Sequence, residues 1–270
     1  MTPTRRYELS DAQWARLEPL LPPEKPWTGR PNDDHRRILN GILWILNSGA
    51  PWRDLPRHYG RVGTVSSRFY RWLAYGSTCW RRCRPWPMPR GGSAGSCTSW
   101  TARSCALTSM PPGTGREPGA EDEALGRSRG GFTTKIHLRC EGYGKPVIFT
   151  VTGGQVHDTR QVSALISRGA IRRIGRGRPR LRPAKMVGDK AYSSRSIRLA
   201  LRKRGIIPVI PTKANERRQP GFDREAYRQR NIIERMINRL KNFRRIATRY
   251  EKRATNYLAM ITIGEILLWI

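Results

Sequence analysis

Apolar residues recur at helical spacing in the first part of the chain. The stretch LSDAQWARLEPLLPP predicts a helix that Ser10 caps and that the following proline pair ends. A second helix is predicted over DDHRRILNGILWILNSG, ending near Gly49, and a third over TVSSRFYRWLAYG, with Thr64 as its cap. PWRDLPRHYG, between these two, is typical of a turn. We interpret residues 1–76 as a small all-helical domain of helix-turn-helix type, the kind that binds DNA.

After residue 118 the pattern changes to short apolar runs separated by turns and helices. GFTTKIHLRC and GKPVIFTVTGG alternate as strands do, and KMV and IIPVIPT predict two more strands. Helices are predicted over SSRSIRLALRKRG and over the long basic stretch FDREAYRQRNIIERMINRLKNFRRIATRY, followed by an apolar helix. This order of hairpin, strand, helix, strand and helix indicates a mixed α/β domain over residues 119–270.

The charge of the chain indicates the class of its partner. Lys and Arg number 52 against 20 Asp and Glu, which gives a formal net charge of +32. Such a chain favours a polyanion, because each neutralised phosphate releases condensed counterions. The apolar run from Tyr257 to Ile270 carries Glu265 and is too short to span a bilayer, so a membrane is disfavoured. The N-terminus lacks an apolar signal-peptide core, so we expect an intracellular protein with reduced thiols.

Residues 77–118 follow neither pattern. They contain four of the 5 cysteines, at positions 79, 83, 97 and 105, and no Asp or Glu occurs from Leu55 to Arg116. A zinc site is disfavoured, because the C-x3-C and C-x7-C spacings lack the short pairs of structural zinc sites and no histidine lies among them. We interpret this part of the chain as an irregular segment between two domains.

Two carboxylates lie where a metal ion could be bound. Asp189 follows the KMV run, at a strand end where side chains face a cleft, although it could instead cap the next helix. Glu234 lies within a basic helix, where an ion pair with Arg230 is the alternative. At about 100° per residue, Glu234 shares one stripe with Tyr227, Arg230 and Lys241. A carboxylate for a hard metal ion beside cations for phosphates suits phosphodiester chemistry.

The spacing of that stripe resembles the Y-R-E-K signature of bacterial insertion-sequence transposases of the DDE superfamily, in the branch grouped around insertion sequences four and five. EALGRSRGGFTTKIHLRC, GGQVHD, GDKAYSS and NYLAMITIGEILLWI are similar to motifs of that branch, in the same order, and the N-terminal helices are similar to its N-terminal domain. The resemblance implies a ribonuclease H-like catalytic domain in which three carboxylates hold two Mg²⁺ (or Mn²⁺) ions. It also implies cleavage and joining of double-stranded DNA, at terminal inverted repeats and a target, by a homodimer in a synaptic complex of the bacterial cytoplasm and nucleoid.

Carried over residue by residue, the resemblance makes Asp189 the second catalytic Asp and Glu234 the catalytic Glu, both of them metal ligands. The DNA-binding or supporting positions around that Glu are Tyr227, Arg230 and Lys241. The first catalytic Asp is expected on the first core strand, upstream of Glu121. That place falls within the segment that has no Asp or Glu.

The genetic code offers a reason for the missing carboxylate. Trp100 is encoded only by TGG and Thr101 begins with AC, so a register displaced by one base reads GAC, an Asp codon, across their junction. From Ser99 to Pro111 the same register permits the string V-D-G-T-V-V-R-A-H-Q-H-A, which resembles the family's first-Asp segment. We interpret residues 77–116 as the product of a shifted frame that is later restored. A genuine low-complexity linker is the alternative.

Three functions follow as hypotheses. The first is an insertion-sequence transposase that is impaired because its first catalytic Asp is missing. The second is a non-enzymatic DNA-binding remnant that competes for element ends, since the helical domain is intact. The third, an RNA- or ribosome-associated basic protein, explains the charge but not the stripe from Tyr227 to Lys241.

Overall fold

The computed structural model describes residues 5–24, 33–83, 97–107, 123–128, 131–168, 182–216 and 220–270, with the backbone alone at 73–83, 97–107 and 128. Its helices are α1 (Asp11–Leu17), α2 (His35–Ser48), α3 (Val62–Cys83), α4 (Val162–Ser167), α5 (Arg195–Arg202), α6 (Arg224–Arg228), α7 (Asn231–Lys241), α8 (Arg244–Ala247) and α9 (Ala254–Trp269). Its strands are β1 (Cys97–Leu107), β2 (Gly126–Ser128), β3 (Gly131–Glu141), β4 (Pro146–Gly153), β5 (Lys185–Val187), β6 (Ile207–Val209) and β7 (Thr248–Arg249). The chain forms two compact units, a helical unit of residues 1–85 with 240–270 and a sheet unit of residues 86–239.

Local capping signals place the ends of α1 and α2. Ser10 Oγ accepts a bond from the Gln13 amide while the Gln13 side chain accepts one from the Ser10 amide, so the predicted cap of α1 is confirmed as a capping box. α2 ends, as predicted, at Gly49, whose φ of 72° is a left-handed conformation that favours glycine. A Cβ at this position would lie 3.0 Å from Arg244 Cβ.

The predicted cap of α3 was wrong. α3 begins at Val62, so Thr64 lies inside its first turn instead of preceding it. The carbonyl of Arg61 already accepts bonds from the amides of Thr64 (2.9 Å) and Val65 (3.1 Å), which starts the helix earlier. α3 also extends beyond residue 76, to Cys83.

Close packing between α2 and α3 forms the centre of the helical unit. At Gly41 of α2, an added Cβ would lie 3.0 Å from Tyr59 Cβ and 3.3 Å from Val65 Cγ1, so only glycine allows this approach. The inward stripes of the two helices are fully or almost fully buried and comprise Ile38, Ile42, Ile45, Leu46, Val65, Phe69 and Trp72. Burial of each large apolar side chain contributes about 1.5–3 kcal/mol, which makes these stripes the main stabilising term.

The last helices of the chain complete this unit. α8 packs against α2, and α9 packs against α3. Arg245 of α8 donates to the Ala50 carbonyl (2.6 Å) and is paired with Glu251, while Tyr257 Oη donates to the Ile246 carbonyl (2.8 Å). Residues 240–270 thus belong to the same compact unit as the N-terminal helices. The domain boundaries 1–76, 77–118 and 119–270 stay predictions. No helix in the described parts of the chain is both long enough and apolar enough to cross a membrane.

A mixed sheet forms the second unit and confirms the predicted mixed α/β class. β3 pairs antiparallel with β1 on one side and with β4 and β2 on the other. β1 pairs in parallel with β5, and β5 in parallel with β6. The order across the sheet is therefore β4, β3, β1, β5, β6, with β2 beside β3 at the β4 edge.

The central strand of this sheet comes from the segment predicted to be irregular. Residues Cys97–Leu107 form β1, which lies between β3 and β5. The prediction of an irregular backbone over all of residues 77–118 was therefore wrong here, because pairing with β3 and β5 on both sides makes a strand of a sequence that lacks the apolar and polar alternation of one. The side chains at 79, 83, 97 and 105, to which the zinc alternative referred, lie outside those that the structure describes.

The two faces of the sheet are covered by different helices. On one face, Met186 of β5 shares a buried cluster with Val162 and Ile166 of α4 and with residues of α5. On the opposite face, the next residue, Val187, packs with Ala226 and Tyr227 of α6. Alternation along β5 thus separates an α4 and α5 face from an α6 face.

The long basic helix predicted from residue 222 onward was also wrong in its continuity. Arg230 N bonds to the Tyr227 carbonyl and Ile233 N to the Arg230 carbonyl, three residues back, which tightens the chain between α6 and α7. A second break precedes α8, where Phe243 has an extended ψ of 103°. No Gly or Pro marks either break in the sequence.

Candidate active site

Asp189 lies two residues beyond β5, in the strand-end position that was predicted. It caps a single helical turn, Lys190–Tyr192, with its Oδ1 accepting a bond of 3.0 Å from the Ala191 amide. Its side chain is half-buried. The backbone that follows Asp189 therefore orients its carboxylate. The structure contains the helix cap that the sequence offered as the alternative to a metal ligand.

An ion pair holds α6 against the strand that precedes Asp189. Lys185 of β5 donates to Asp223 Oδ2 at 2.8 Å, and Asp223 Oδ1 accepts from the Ala226 amide at 2.9 Å as the cap of α6. The bond from Lys185 is the main cause that lowers the pKa of the Asp223 carboxyl. This pair holds the start of α6 beside the first residue of β5, and Tyr227 packs near Val187, the last residue of β5, so α6 runs along the strand towards its carboxyl end.

Three of the four residues of the predicted stripe form a chain of contacts, from Tyr227 to Arg230 and from Arg230 to Glu234. The Arg230 guanidinium lies over the Tyr227 ring, 5.6 Å from its centroid, and its Nη2 is 3.2 Å from Glu234 Oε1. Arg230 and Glu234 are each 35% exposed, so solvent screens the pair and it stabilises α7 by no more than about 0.3–0.5 kcal/mol. Lys241, the fourth residue, is the exposed last residue of α7, about two turns beyond Glu234.

Sequence reasoning did not find a buried arginine that fixes the loop after Asp189. Arg198 of α5 is 5% exposed, and its guanidinium donates to Ser193 Oγ (2.9 Å) and to the Ile210 carbonyl (3.0 Å). Ser193 in turn donates to the carboxylate of Glu216. These bonds join the chain after β5 to the chain after β6. The one sequence feature that could have predicted this buried arginine is the position of Arg198 among the apolar residues of α5.

A second acidic residue lies near the same edge of the sheet. β4 runs in the direction of β1 and β5, so the loop after it reaches the carboxyl edge that carries Asp189. In that loop Asp158 is paired with Lys135 at 2.8 Å. The turn Asp158–Gln161 packs against the turn Lys190–Tyr192. Burial first, and then the charges of Asp158 and Asp189, raise the pKa of the Tyr192 hydroxyl.

The register of β1 identifies the sheet position level with Asp189. Ser99 is the parallel partner of Val187, so continuing the register brings position 101 level with residue 189. Thr101 is also the antiparallel partner of Leu138. Because register partners share a face, position 101 lies on the α6 face with Val187, and position 100 on the opposite face.

The residues present supply part of a metal site. Asp189 and Glu234 provide the carboxylate oxygens that Mg²⁺ or Mn²⁺ prefers. However, no group of three His, Cys, Asp or Glu residues that could hold a metal ion occurs among the side chains described here. Glu234 Oε1 is also paired with Arg230. The described side chains thus do not complete a centre for the metal ions that the sequence predicted.

Two family models match the chain. The family described as "Transposase DDE domain" matches residues 108–269, and the one described as "Putative transposase of IS4/5 family" matches residues 9–83. The chain is 36% identical over 131 residues to the "Putative transposase for insertion sequence element IS402" of Burkholderia cepacia, covering 48% of this chain and 60% of that protein. It is 29% identical over 143 residues to the "Putative transposase for insertion sequence element IS6501" of Brucella ovis, covering 52% of this chain and 99% of that protein.

The chain spans 48% to 60% of the length of three of the curated relatives it matches. Among solved structures it is similar to the piggyBac transposase synaptic complex with hairpin DNA, at a TM-score of 0.36 and 11% identity, covering 77% of this chain and 48% of that one. It is also similar to the Mos1 transposase paired-end complex with left transposon end, at a TM-score of 0.28 and 10% identity, covering 84% of this chain and 82% of that one.

Proposed function

Since the chain belongs to the family described as "Transposase DDE domain", we propose that it is the transposase of an insertion sequence, impaired in strand cleavage by the loss of its first catalytic carboxylate. In this proposal the chain binds double-stranded DNA at terminal inverted repeats, as a dimer that brings two ends together. Asp189 and Glu234 are the remaining ligands for Mg²⁺ or Mn²⁺, and such ions would stabilise charge on the attacking and leaving oxygens.

The observation that carries the proposal is the register of β1. If the loss of one base upstream displaced the frame, the Asp codon that now spans codons 100 and 101 encoded residue 101 before that loss. That position is level with Asp189 and lies on the face that α6 covers. A gain of two bases would instead make it residue 100, on the opposite face. The strand pairing therefore supports both a displaced frame and one particular displacement.

The roles of the supporting residues follow from their contacts. Tyr227 and Arg230 are in contact, and Arg230 lies beside Glu234 in a weak, solvent-screened pair, so a phosphate or a metal ion can readily compete for either partner. Lys185 and Asp223 hold the start of α6 against the first residue of β5. Loss of the Lys185 pair is therefore expected to loosen the start of α6, and with it the position of Tyr227 relative to Asp189.

The test restores the register between residues 77 and 116. We expect the original chain to cleave an end-bearing duplex little or not at all, and the repaired chain to cleave it in the presence of Mg²⁺. Glu234→Gln in the repaired chain should abolish cleavage and leave DNA binding nearly unchanged, because metal ligation and phosphate contacts are separate terms. Equal cleavage by the original and the repaired chain would refute the frame account and the claim of impairment together.

A second candidate function, a DNA-binding remnant, is favoured by one observation. The helical unit is packed around a continuous core, whereas the described side chains of the sheet unit contain no three-ligand metal cluster. In the same assays this candidate predicts that the original chain binds element ends without nicking them. Binding by the original chain that blocks cleavage by the repaired chain would support it.

A further inference from the structure

The first turns of α3 present an outward stripe that the packing of the helical unit leaves free. Val65, Arg68, Phe69 and Trp72 face inward and are buried. The opposite side of the helix is exposed and consists of Gly63, Ser67, Tyr70 and Arg71. At about 100° per residue these four positions span roughly 100° of the helix surface, centred opposite the buried side. We call Gly63, Ser67, Tyr70 and Arg71 the outward stripe.

The chemistry of the outward stripe differs from that of an ordinary solvated helix face. It carries an aromatic residue, a hydroxyl and an arginine, and it contains no carboxylate. Tyr70 is 45% exposed, and its ring is held edge-on against Phe69 at 5.3 Å. A Cβ added at Gly63 would meet nothing within 4 Å, so the start of the helix faces open space.

Cations flank this stripe at the end where α3 begins. Arg57 and Arg61 are exposed in the segment that leads into the helix. Arg37 of α2 reaches the same segment, since its Nε donates to the His58 carbonyl at 2.7 Å. Burial lowers the pKa of His58, and the charges of Arg5 and Arg37 act in the same direction.

The carboxylates near this surface are few. Glu8 is hydrogen-bonded to Tyr59, Asp54 lies 3.7 Å from Arg53, and Glu24 accepts a bond from the His35 amide. The charges of Asp33 and Glu24 also act on Arg68, on the buried side of α3. Among the residues that the structure describes, no carboxylate forms an ion pair with Arg57, Arg61 or Arg71. The potential over the outward stripe is therefore positive, and the complementary partner is a polyanion.

The packing holds α3 rigidly enough to present such a surface. Its inner side is locked against α2 through the close approach at Gly41. Arg68, 5% exposed, contacts His35 Nδ1 at 3.2 Å, and the His35 ring lies edge-on to Trp72 at 5.4 Å. A helix about 10–12 Å in diameter fits the major groove of B-DNA, which is about 12 Å wide.

We propose that the outward stripe of α3 enters the major groove of double-stranded DNA, with Ser67, Tyr70 and Arg71 at base edges and with Arg57 and Arg61 on the flanking phosphates. This inference rests on the proposed function and deepens it, because it assigns sequence recognition to one helix face. Arg71 has the donor fork that reads guanine, and the Tyr70 ring supplies apolar contact and a hydroxyl. Arg57 and Arg61 position the helix without reading sequence.

The test compares two duplexes, one taken from the DNA that flanks the gene and one of the same length and scrambled sequence. Tyr70→Ala and Arg71→Ala in the full chain should each lower the preference for the flanking duplex about ten-fold. Arg57→Ala and Arg61→Ala should weaken binding to both duplexes alike and lower the salt slope by about 1. Arg195→Ala, at an exposed arginine of α5, is the charge-matched control and should leave the preference unchanged.

Tyr70→Phe keeps the ring against Phe69, so it separates loss of a DNA contact from loss of packing, and melting of each variant checks its folding. Loss of preference in Arg71→Ala with unchanged melting supports the proposal. If Arg71→Ala and Arg195→Ala change the preference for the flanking duplex equally, the α3 surface binds DNA only through its net charge, and the proposal is wrong. If the parent chain prefers the flanking duplex and every α3 variant keeps that preference, this inference fails alone. A parent chain with no preference overturns the proposed function as well.

Discussion

Thr101→Asp is the most direct test of the sheet position that the register of β1 identifies. The substitution adds a carboxylate level with Asp189, on the face that α6 covers. Neighbouring strands lie about 4.8 Å apart, and two oxygens bound to one Mg²⁺ lie at most about 4.2 Å apart. A carboxylate at position 101 is therefore expected to lie close enough to Asp189 for both to bind one ion.

The expected magnitude follows from linkage. Without a metal ion, a carboxylate that is desolvated on a covered sheet face and gains no partner lowers the free energy of unfolding by about 1–3 kcal/mol. At a Mg²⁺ concentration about 100 times the Kd, binding to the folded state returns about 2.7 kcal/mol. For a chain of this size that corresponds to a rise in Tm of about 5–10 °C on addition of Mg²⁺.

The assay is thermal unfolding of the full chain with and without Mg²⁺. Trp100→Asp is the matched control, because position 100 lies on the opposite face of the sheet, and Thr101→Asn has nearly the same shape without the charge. We expect a Mg²⁺-dependent rise in Tm for Thr101→Asp alone. An equal rise for Trp100→Asp, or none for Thr101→Asp, would refute the assignment of position 101.

Two further predictions concern stability. Gly41→Ala should lower the free energy of unfolding by about 1–3 kcal/mol, because its Cβ would lie 3.0 Å from Tyr59 Cβ, whereas Gly63→Ala, with nothing within 4 Å, should raise it by about 0.5–1 kcal/mol; urea unfolding that ranked the two in the reverse order would contradict this packing. His137 is fully buried, and burial lowers its pKa from 6.5 to about 4. The unfolded chain therefore binds a proton first as the pH falls, and stability present above pH 6.5 should decline by up to about 3 kcal/mol towards pH 4. His137→Gln, which can still bond to Thr152, should flatten that part of the pH profile, and an unchanged slope would show that another group causes it.

Helices with local stop and start signals were predictable from the sequence. Ser10 caps α1 and Gly49 ends α2 as expected, because both signals act within one turn of the chain. Thr64 was misassigned because a threonine near a helix start is compatible with a cap or with the first turn. The backbone bonds to the Arg61 carbonyl decided between them.

What depends on distant contacts could not be predicted. β1 is a strand because β3 and β5 pair with it from both sides, although its sequence lacks the apolar and polar alternation that predicts a strand. The break between α6 and α7 has no Gly or Pro to announce it. The pair of Lys185 and Asp223 that sets the position of α6 joins residues that are far apart in the sequence.

The candidate site was predictable in its residues more than in its geometry. Asp189 follows a strand and Glu234 lies on a helix, as expected. Both also make the local contacts that were named as alternatives, a cap and an i,i+4 pair. Their role as metal ligands stays a prediction, because a local pair and a metal site use the same carboxylate oxygens.

The helical unit is discontinuous in sequence, and this affects how the protein is made. α1 to α3 are synthesised first, but α8 and α9, which pack against α2 and α3, follow only after the entire sheet unit. Domains generally fold as units during synthesis. Until α8 and α9 have been synthesised, the apolar surfaces of α2 and α3 that they cover are therefore exposed to solvent. A frame that was displaced and never restored would therefore remove the partners of the N-terminal helices as well as the sheet. If the frame is displaced as proposed, its restoration before β2 preserves α8 and α9, with which the first helices of the chain pack.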